Sequence, residues 1–329
     1  MNINQINSHE SNALLSNEKA IFAGHELGKV LGTGSYSFVR EAVHIASNQS
    51  RAIKFAKAKA QADSGCAQTG CFLSRPLTQM TGSYGEVSLS SREFLAKQYE
   101  RFMGIACDGW LKIHEMIDAE GQTAAVMNLS TGRPLRQFIQ EGKTDLDPVK
   151  KAVSALASLE KTSSSIKHGD IKPENILVEA NQCFLIDPGY SGQLICEHNQ
   201  ELSVCMTTPD YYPFLDQNDQ SALGLILFEV ITGRNPTAFS PAQTGTEPTL
   251  KISTALRQTI ETQRLGNNYF PARLYSLPAY LDYFRDKLPE NLASISLKCL
   301  GIKITDQKEL ECCEQFAGAV ELERALSRF

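Results

Sequence analysis

The most informative stretch of the sequence is His168-Gly169-Asp170-Ile171-Lys172-Pro173-Glu174-Asn175, followed after an apolar run by Ile186-Asp187-Pro188-Gly189. It places a carboxylate, an ammonium and an amide on one loop, and a second carboxylate after a short hairpin. Such groups can hold a hydroxyl nucleophile and a magnesium-bound nucleoside triphosphate in line. Catalysis of that kind consists mostly of positioning and charge neutralisation, so few groups act and each must reach the same small volume. The stretch therefore indicates phosphoryl transfer chemistry.

The same stretch resembles the catalytic loop and the metal-binding loop of the protein kinase superfamily, whose usual forms are H-R-D-x-K-x-x-N and D-F-G. The resemblance implies that Asp170 accepts or orients the proton of the attacking hydroxyl, and that Lys172 neutralises charge on the transferred phosphoryl group. A lysine at this position is typical of the serine/threonine-specific branch. Asn175 and Asp187 would bind Mg2+ or Mn2+, because these hard ions prefer carboxylate, amide and phosphate oxygens.

Length and composition agree with an enzyme of two lobes. The chain of 329 residues is 42% hydrophobic, which is enough to bury a large core. Its net charge of -5 argues against a general nucleic-acid partner. It contains no apolar run of about 18 residues and no apolar signal-peptide core, so we expect no membrane insertion. The nine cysteines lack metal-ligand spacing and are expected to be thiols in a reducing cytoplasm.

The first part of the chain is predicted to be a small, β-rich N-lobe. Residues 1–22 are rich in Asn and Ser and are predicted to be a flexible segment, whereas residues 23–132 form the N-lobe and hinge. Short strands are predicted at 26–31, 38–44 and 51–55.

Between the first two of these strands lies Gly32-Thr33-Gly34-Ser35-Tyr36-Ser37-Phe38-Val39, which resembles the glycine-rich loop of kinases. Two glycines let backbone amides approach phosphate oxygens without a Cβ in the way. The triplet Ala52-Ile53-Lys54 matches the third-strand A-x-K in which the lysine binds the α and β phosphates. The residues of this region that the resemblance assigns to ATP are Gly32, Thr33, Gly34, Ser35, Val39, Ala52 and Lys54.

Residues 57–84 are polar and are predicted to be an inserted loop. A helix is expected to begin near Ser88 to Ser91, which are good capping residues. Kinases need a glutamate on this helix to orient the ATP-binding lysine. Glu93 is the candidate for that catalytic role, with Glu100 and Glu86 as alternatives.

Two further strands, at 111–116 and 123–128, are predicted with a turn at Glu120-Gly121. The segment that follows resembles the kinase gatekeeper and hinge, with Met127 as gatekeeper. The resemblance implies that adenine hydrogen-bonds to the backbone around Asn128 to Ser130.

Residues 133–329 are predicted to be a larger, mainly helical C-lobe with a divergent C-terminal part. A helix over 219–232 is apolar on nearly all sides and should lie at the centre of this lobe. It resembles the kinase central helix D-x-x-S-L-G-x-x-L-x-E-L-x-T-G-x-x-P, which implies that Asp219 accepts amides of the catalytic loop. Thr208, in Thr207-Thr208-Pro209-Asp210-Tyr211-Tyr212-Pro213, is expected to bond Asp170 through its hydroxyl and to contact Lys172.

Two letters leave an alternative open. Gly169 and Pro188 resemble the H-G-D and I-D-P motifs of aminoglycoside, choline and fructosamine kinases, which phosphorylate small molecules. Lys172, Asn175 and the central helix favour protein kinases instead. A third interpretation is a pseudokinase that binds partners without transferring phosphate, but such a scaffold has no need to keep all the catalytic groups together.

The prediction is therefore an α+β, bilobal, protein-kinase-like fold and an ATP-dependent serine/threonine kinase acting on a protein. The stretch Thr207 to Pro213 resembles the end of the kinase activation segment but lacks its final glutamate. This divergent segment and the Asn/Ser-rich N-terminus resemble bacterial effector kinases that are delivered into host cells. The expected substrate is accordingly a protein, with a host protein as one candidate, and the expected location is a cytoplasm.

Overall fold

A computed structural model describes residues 20–34, 37–57, 91–163, 166–195, 201–206, 208, 210–212, 219–240, 242, 245, 247–262 and 271–329. These residues form a mixed α+β structure, which confirms the predicted class. The predicted inserted loop at 57–84 lies almost entirely outside the described residues, as do Ser35 and Glu86.

The largest sheet has six antiparallel strands in the order β1-β2-β3-β4-β6-β5. Its strands are β1 (Ala20–Phe22), β2 (His25–Thr33), β3 (Ser37–His44), β4 (Gln49–Ala56), β5 (Ile113–Ala119) and β6 (Gln122–Asn128). Five of these were predicted: four with slightly shorter bounds, and β5 with bounds at 111–116 that begin and end too early. Strand β1 was not predicted: it lies at the end of the segment predicted to be flexible, and its Phe22 is fully buried.

Alternation along β4 gives the sheet two different faces. Ile53 and Phe55 pack on one side, in an apolar cluster whose aromatic members include Phe22 and Phe38. Ala52 packs on the other side, into the main core. Lys54 shares that side by alternation, so its ammonium is directed toward the interior even though a lysine normally seeks water. Helix α1 (Ser91–Glu100) also packs against this face, with Leu95 in the main core.

The remaining helices are α2 (Leu135–Gln140), α3 (Asp147–Thr162), α4 (Asp219–Thr232), α5 (Thr254–Thr262), α6 (Leu277–Tyr283), α7 (Glu290–Cys299) and α8 (Ala319–Leu326). Helix α4 has the predicted bounds, and Gly233 follows it in the left-handed region at φ 74°. Its first twelve residues, from Asp219 to Val230, are buried, which explains its apolar sequence.

Apart from the short hairpin that precedes Asp187, the short strands of the second part were not predicted. Strands β7 (Arg133–Pro134), β8 (Ile176–Glu179) and β9 (Gln182–Leu185) form one sheet, and β10 (Tyr190–Ile195) pairs with β11 (Glu201–Met206) as an antiparallel hairpin. Strands β12 (Lys251–Ile252), β13 (Ile302–Ile304) and β14 (Glu309–Cys312) form another sheet. The C-terminal part is thus less helical than its apolar pattern indicated. Within the described part of the chain, no helix combines the length and apolar character needed to cross a membrane.

Gly224 is required by packing at the contact between α4 and α7. A Cβ at this position would lie 2.6 Å from Cys299 Cβ and 2.7 Å from the Ser296 carbonyl oxygen. We expect Gly224→Ala to lower the free energy of unfolding by about 1–3 kcal/mol, because overpacking displaces the helix. Urea denaturation measures this effect. Gly32→Ala is the matched control, since an added Cβ there meets nothing within 4 Å; equal losses in the two variants would contradict the packing argument.

Candidate active site

The loop that begins at His168 is held by one buried carboxylate at the start of α4. The two oxygens of Asp219 accept the amides of His168 and Gly169, each at 2.8 Å. The Tyr212 hydroxyl donates to Asp219 Oδ1 at 2.8 Å and accepts the Ile171 amide at 2.6 Å. The predicted role of Asp219 is therefore confirmed. Gly169 has φ 78°, a backbone conformation that glycine adopts without strain.

His168 has a structural role. Its Nδ1 accepts the Asp170 amide at 3.2 Å, which leaves Nε2 to donate to the Ile186 carbonyl at 2.9 Å. Burial lowers the pKa of His168, so the ring is neutral. The histidine thus joins the catalytic loop to the strand end that carries Asp187.

Asp170, Lys172 and Thr208 converge on one half-buried point. Lys172 Nζ lies 2.9 Å from Asp170 Oδ2 and donates to Thr208 Oγ1 at 2.7 Å. The Thr208 amide donates to Asp170 Oδ1 at 2.7 Å. Thr208 therefore contacts both predicted partners, but the bond to Asp170 comes from its backbone and not from its hydroxyl. The expectation of a hydroxyl bond to Asp170 was wrong because the backbone amide of Thr208 is the group that lies against Asp170 Oδ1, while the hydroxyl oxygen accepts from the ammonium of Lys172.

Asn175 and Asp187 are brought together by the backbone of their own loops. Asn175 Nδ2 donates to the Asp170 carbonyl at 2.8 Å, to Asp170 Oδ2 at 3.1 Å and to the Asp187 carbonyl at 3.1 Å. Asp187 has φ 53°, in the left-handed region that aspartate tolerates better than most residues. Among the described residues, Asn175 Oδ1 and Asp187 Oδ2 accept no hydrogen bond, so both are available as hard ligands. This donor set fits magnesium, whose remaining positions phosphate oxygens and water would fill.

Lys54 joins the sheet to Asp187. Its side chain is only 5% exposed, and Nζ lies 2.7 Å from Asp187 Oδ1 and 3.2 Å from the Tyr99 hydroxyl. Tyr99 in turn donates to Asp187 Oδ1 at 2.9 Å. The three polar groups form a closed triangle between β4, α1 and the loop after β9.

The predicted pairing of Lys54 with Glu93 is not formed in this structure. In the part of the chain that the structure describes, Lys54 Nζ bonds to Tyr99 and Asp187. Glu93 is exposed in the first turn of α1, and Glu100 is exposed at its end. The inward face of this helix carries Leu95 and Tyr99 instead, with Phe102 just beyond the helix end. That i, i+4, i+7 spacing was the sequence signal that could have identified Tyr99.

The electrostatics of the triangle favour an anionic Asp187 and a neutral Tyr99. The half-buried position of Asp187 would by itself raise its pKa, but the charge and hydrogen bond of Lys54 and the hydrogen bond of Tyr99 outweigh this, so the pKa lies below its usual value. Burial, followed by the charge of Asp187, raises the pKa of Tyr99 well above its usual value.

The glycine hairpin carries the features of a ligand-facing turn. The Gly34 amide donates to the Ser37 carbonyl at 2.8 Å and closes the turn, and Lys57 Nζ donates to the Gly34 carbonyl. Gly32, Thr33 and Gly34 are all exposed. An added Cβ on Gly32 would meet nothing within 4 Å among the described residues, so packing against them does not require the glycine.

The residues predicted to surround adenine share one face of the sheet. Ala52 and Met127 are paired in the register of β4 and β6 and both belong to the main core, against which Val39 also packs. The Asn128 amide donates to the Lys112 carbonyl at 3.0 Å. Ser130 Oγ donates to Glu179 Oε2 at 2.8 Å, which ties the segment after β6 to β8.

One further network was missed by sequence reasoning. Arg136 Nε donates to Glu174 Oε1 at 2.7 Å, and its two terminal nitrogens reach Glu229 and the Tyr211 hydroxyl. Tyr211 also donates to Glu229. The network links α2, the catalytic loop, α4 and the segment after Thr208. Its only sequence signal was the adjacent tyrosine pair after Pro209.

Comparison with known proteins gives a distant, partial similarity to a protein kinase. No family model matches the chain. The chain is similar to CBL-interacting protein kinase 5 of Oryza sativa subsp. japonica, with 24% identity over 225 residues. The aligned part is 64% of this chain and 43% of the rice protein, so the chain spans less than half the length of that relative. The similarity suggests a distant relationship to protein kinases.

The Lys54–Asp187 pair predicts an asymmetric response to mutation. Asp187→Asn should lower the free energy of unfolding by about 1–3 kcal/mol more than Lys54→Met does, because it leaves a buried ammonium without its carboxylate. The double variant should be less destabilised than the sum of the single variants. Urea denaturation at neutral pH measures all three.

The pH dependence follows from the lowered pKa of Asp187. Its contribution to stability is present at neutral pH, above the ordinary aspartate pKa, and is lost as pH falls through the folded-state pKa. The difference in free energy of unfolding between wild type and Asp187→Asn should therefore become smaller at acid pH. Glu311→Gln is the control, since its ion pair with Lys303 is exposed and should contribute little to stability.

For the double variant of Lys54 and Asp187, a loss of stability equal to the sum of the two single losses would contradict the coupling.

Proposed function

We propose that this protein is an ATP- and magnesium-dependent kinase that transfers the γ-phosphoryl group to a serine or threonine hydroxyl of a protein. The observation that carries the proposal is the convergence of Lys172 Nζ and the Thr208 amide on the carboxylate of Asp170. A carboxylate held by two donors has a fixed direction, which is what orientation of an attacking hydroxyl requires. Asn175, five residues further along the same loop, joins this carboxylate to the loop of Asp187.

The roles of the residues follow from their charges and positions. Asp170 orients the hydroxyl and receives its proton. Lys172 places a positive charge beside that point, where the transferred phosphoryl group gains negative charge. Lys54 supplies a second positive charge for the nucleotide phosphates, and Asn175 and Asp187 would hold the metal. Magnesium, when bound, neutralises phosphate charge.

The proposal includes a bilobal arrangement. The six-stranded sheet with α1 would be the N-lobe, which was predicted at 23–132 and begins at residue 20 once β1 is included, and the helical part from 133 to 329 would be the C-lobe. Adenine would lie against Val39, Ala52 and Met127, with backbone groups of the hinge as its hydrogen-bonding partners. The exposed glycine hairpin would cover the phosphates, since backbone amides of such turns bind anions.

A protein substrate is favoured over a small molecule by the surroundings of Asp170. The central helix α4 holds the catalytic loop through Asp219, and the Thr208 segment contacts both Asp170 and Lys172. By the motif resemblance these features are typical of protein kinases, whereas Gly169 and Pro188 resemble small-molecule kinases. A host protein as substrate, and delivery of the enzyme by a bacterium, belong to this proposal through the sequence resemblance alone.

The test is incubation of the purified protein with γ-labelled ATP, magnesium and a cell lysate, followed by location of the label. We expect label on serine or threonine residues of protein. Asp170→Asn should lower the rate by about 10²–10⁴-fold, the usual contribution of a general base, without loss of fold. Asp306→Asn, at an exposed turn, is the matched control and should leave the rate unchanged.

The other possible results of this experiment distinguish the alternative functions. Label found only on small molecules would support the small-molecule kinase instead. No label in any fraction, with ATP bound, would support a pseudokinase. A fully active Asp170→Asn variant would remove Asp170 from the reaction.

A further inference from the structure

We propose that Tyr99 is the positioning residue that orients Lys54 and fixes the carboxylate of Asp187, in the place where a helical glutamate was predicted. The inference rests on the proposed function and names a residue for it. Tyr99 is 2% exposed, and its hydroxyl lies 3.2 Å from Lys54 Nζ and 2.9 Å from Asp187 Oδ1. One hydroxyl thus accepts from the ammonium and donates to the carboxylate.

The phenol can do what a carboxylate could not do at this distance. A glutamate oxygen in place of the Tyr99 hydroxyl would bring a second negative charge against Asp187. A neutral hydroxyl instead donates a hydrogen bond to that carboxylate and adds no charge to the site. The bond occupies Oδ1, so the rotation of the carboxylate is restricted and Oδ2 is left as the oxygen for the metal.

The Lys54 ammonium is also restrained by the ring. Nζ lies 5.2 Å from the centroid of the Tyr99 ring, within the range of a cation–π contact. The ring and the hydroxyl of one residue therefore limit two directions of movement of the ammonium. Asp187 is the anionic group that contacts Lys54 in the described part of the chain.

Two further residues, one in helix α1 and one just beyond its end, also contact the loop that carries Asp187. Gln98 Nε2 donates to the Pro188 carbonyl, and Arg101 Nη2 donates to the Gly189 carbonyl. Two residues that flank Tyr99 in the sequence thus bind the two backbone carbonyls that directly follow Asp187. A helix attached in this way places the hydroxyl without the Lys–Glu ion pair, which explains why Glu93 and Glu100 can be exposed.

The test compares Tyr99→Phe with wild type in three measurements: the magnesium concentration for half-maximal phosphorylation, the affinity for ATP with magnesium by calorimetry, and the urea unfolding midpoint. Removing a group that orients a metal ligand typically costs about 10–100-fold in metal affinity. We expect the magnesium requirement to rise by about that factor, and calorimetry to show a matching loss of magnesium-dependent ATP affinity. Tyr99→Glu should not rescue either property.

Tyr280→Phe is the matched control. Tyr280 is also fully buried, and its hydroxyl bonds to the Phe228 and Arg234 carbonyls. Neither carbonyl belongs to a residue assigned to the nucleotide, the metal or the attacking hydroxyl. Its loss should lower the unfolding midpoint without changing the magnesium requirement. In addition, the midpoint loss of Tyr99→Phe/Asp187→Asn should be smaller than the sum of the single losses, a readout that needs no activity.

The outcomes separate this inference from the proposed function. An inactive wild type that also binds no ATP would overturn the proposed function, and the role of Tyr99 in it. An active wild type with an unchanged magnesium requirement in Tyr99→Phe would overturn the inference alone. A rise in the requirement that Tyr280→Phe reproduces would show a general loss of stability and would also overturn it.

Discussion

The structure depends on the carboxylate of Asp219, which accepts hydrogen bonds from two adjacent backbone amides. Those amides belong to His168 and Gly169, and the hydroxyl of Tyr212 completes the set of donors. Hydrogen bonds to a buried charge contribute more than neutral ones, at about 1.5–3 kcal/mol each. The carboxylate also lies at the N-terminus of α4, where the helix dipole favours negative charge. Because α4 is itself buried, it anchors a loop whose glycine has a left-handed backbone.

The second constraint is the contact between the six-stranded sheet and the loop that carries Asp187. Lys54 comes from β4, Tyr99 from α1 and Asp187 from the loop after β9, and the three meet within 3.2 Å of one another. A buried ammonium requires an anion, and Asp187 supplies it. The same carboxylate is proposed to hold the metal through Oδ2, while Tyr99 keeps its hydrogen bond to Oδ1 and Lys54 also faces the nucleotide phosphates. The site is therefore built around one shared charge.

Much of the site could be predicted from letters and spacing. Asp170, Lys172, Asn175 and Asp187 lie together because a short strand pair returns the chain to the same place. Helix α4 was predicted with correct bounds because a mostly apolar run begins after Asp219 and ends at Gly233.

The rest depends on three-dimensional details that spacing does not contain. The face of α1 was misjudged because a helix turns by about 100° per residue, so Glu93 and Tyr99 point in different directions. The bond from Thr208 to Asp170 comes from a backbone amide, which every residue type carries. The strands β13 and β14 are too short for alternation to distinguish them from irregular segments. The role of Gly224 appears only when α7 is packed against α4.

The central claim is that Lys54, Asn175 and Asp187 form a magnesium–nucleotide site that is separate from the proton acceptor Asp170. Calorimetric titration with ATP, with and without magnesium, tests it most directly. Wild type and Asp170→Asn should both bind ATP at least about tenfold more tightly with magnesium, a difference of about 1.4 kcal/mol, whereas Asp187→Asn should lose that dependence. ATP binding by wild type that ignores magnesium, or a magnesium effect that survives in Asp187→Asn, would contradict the account.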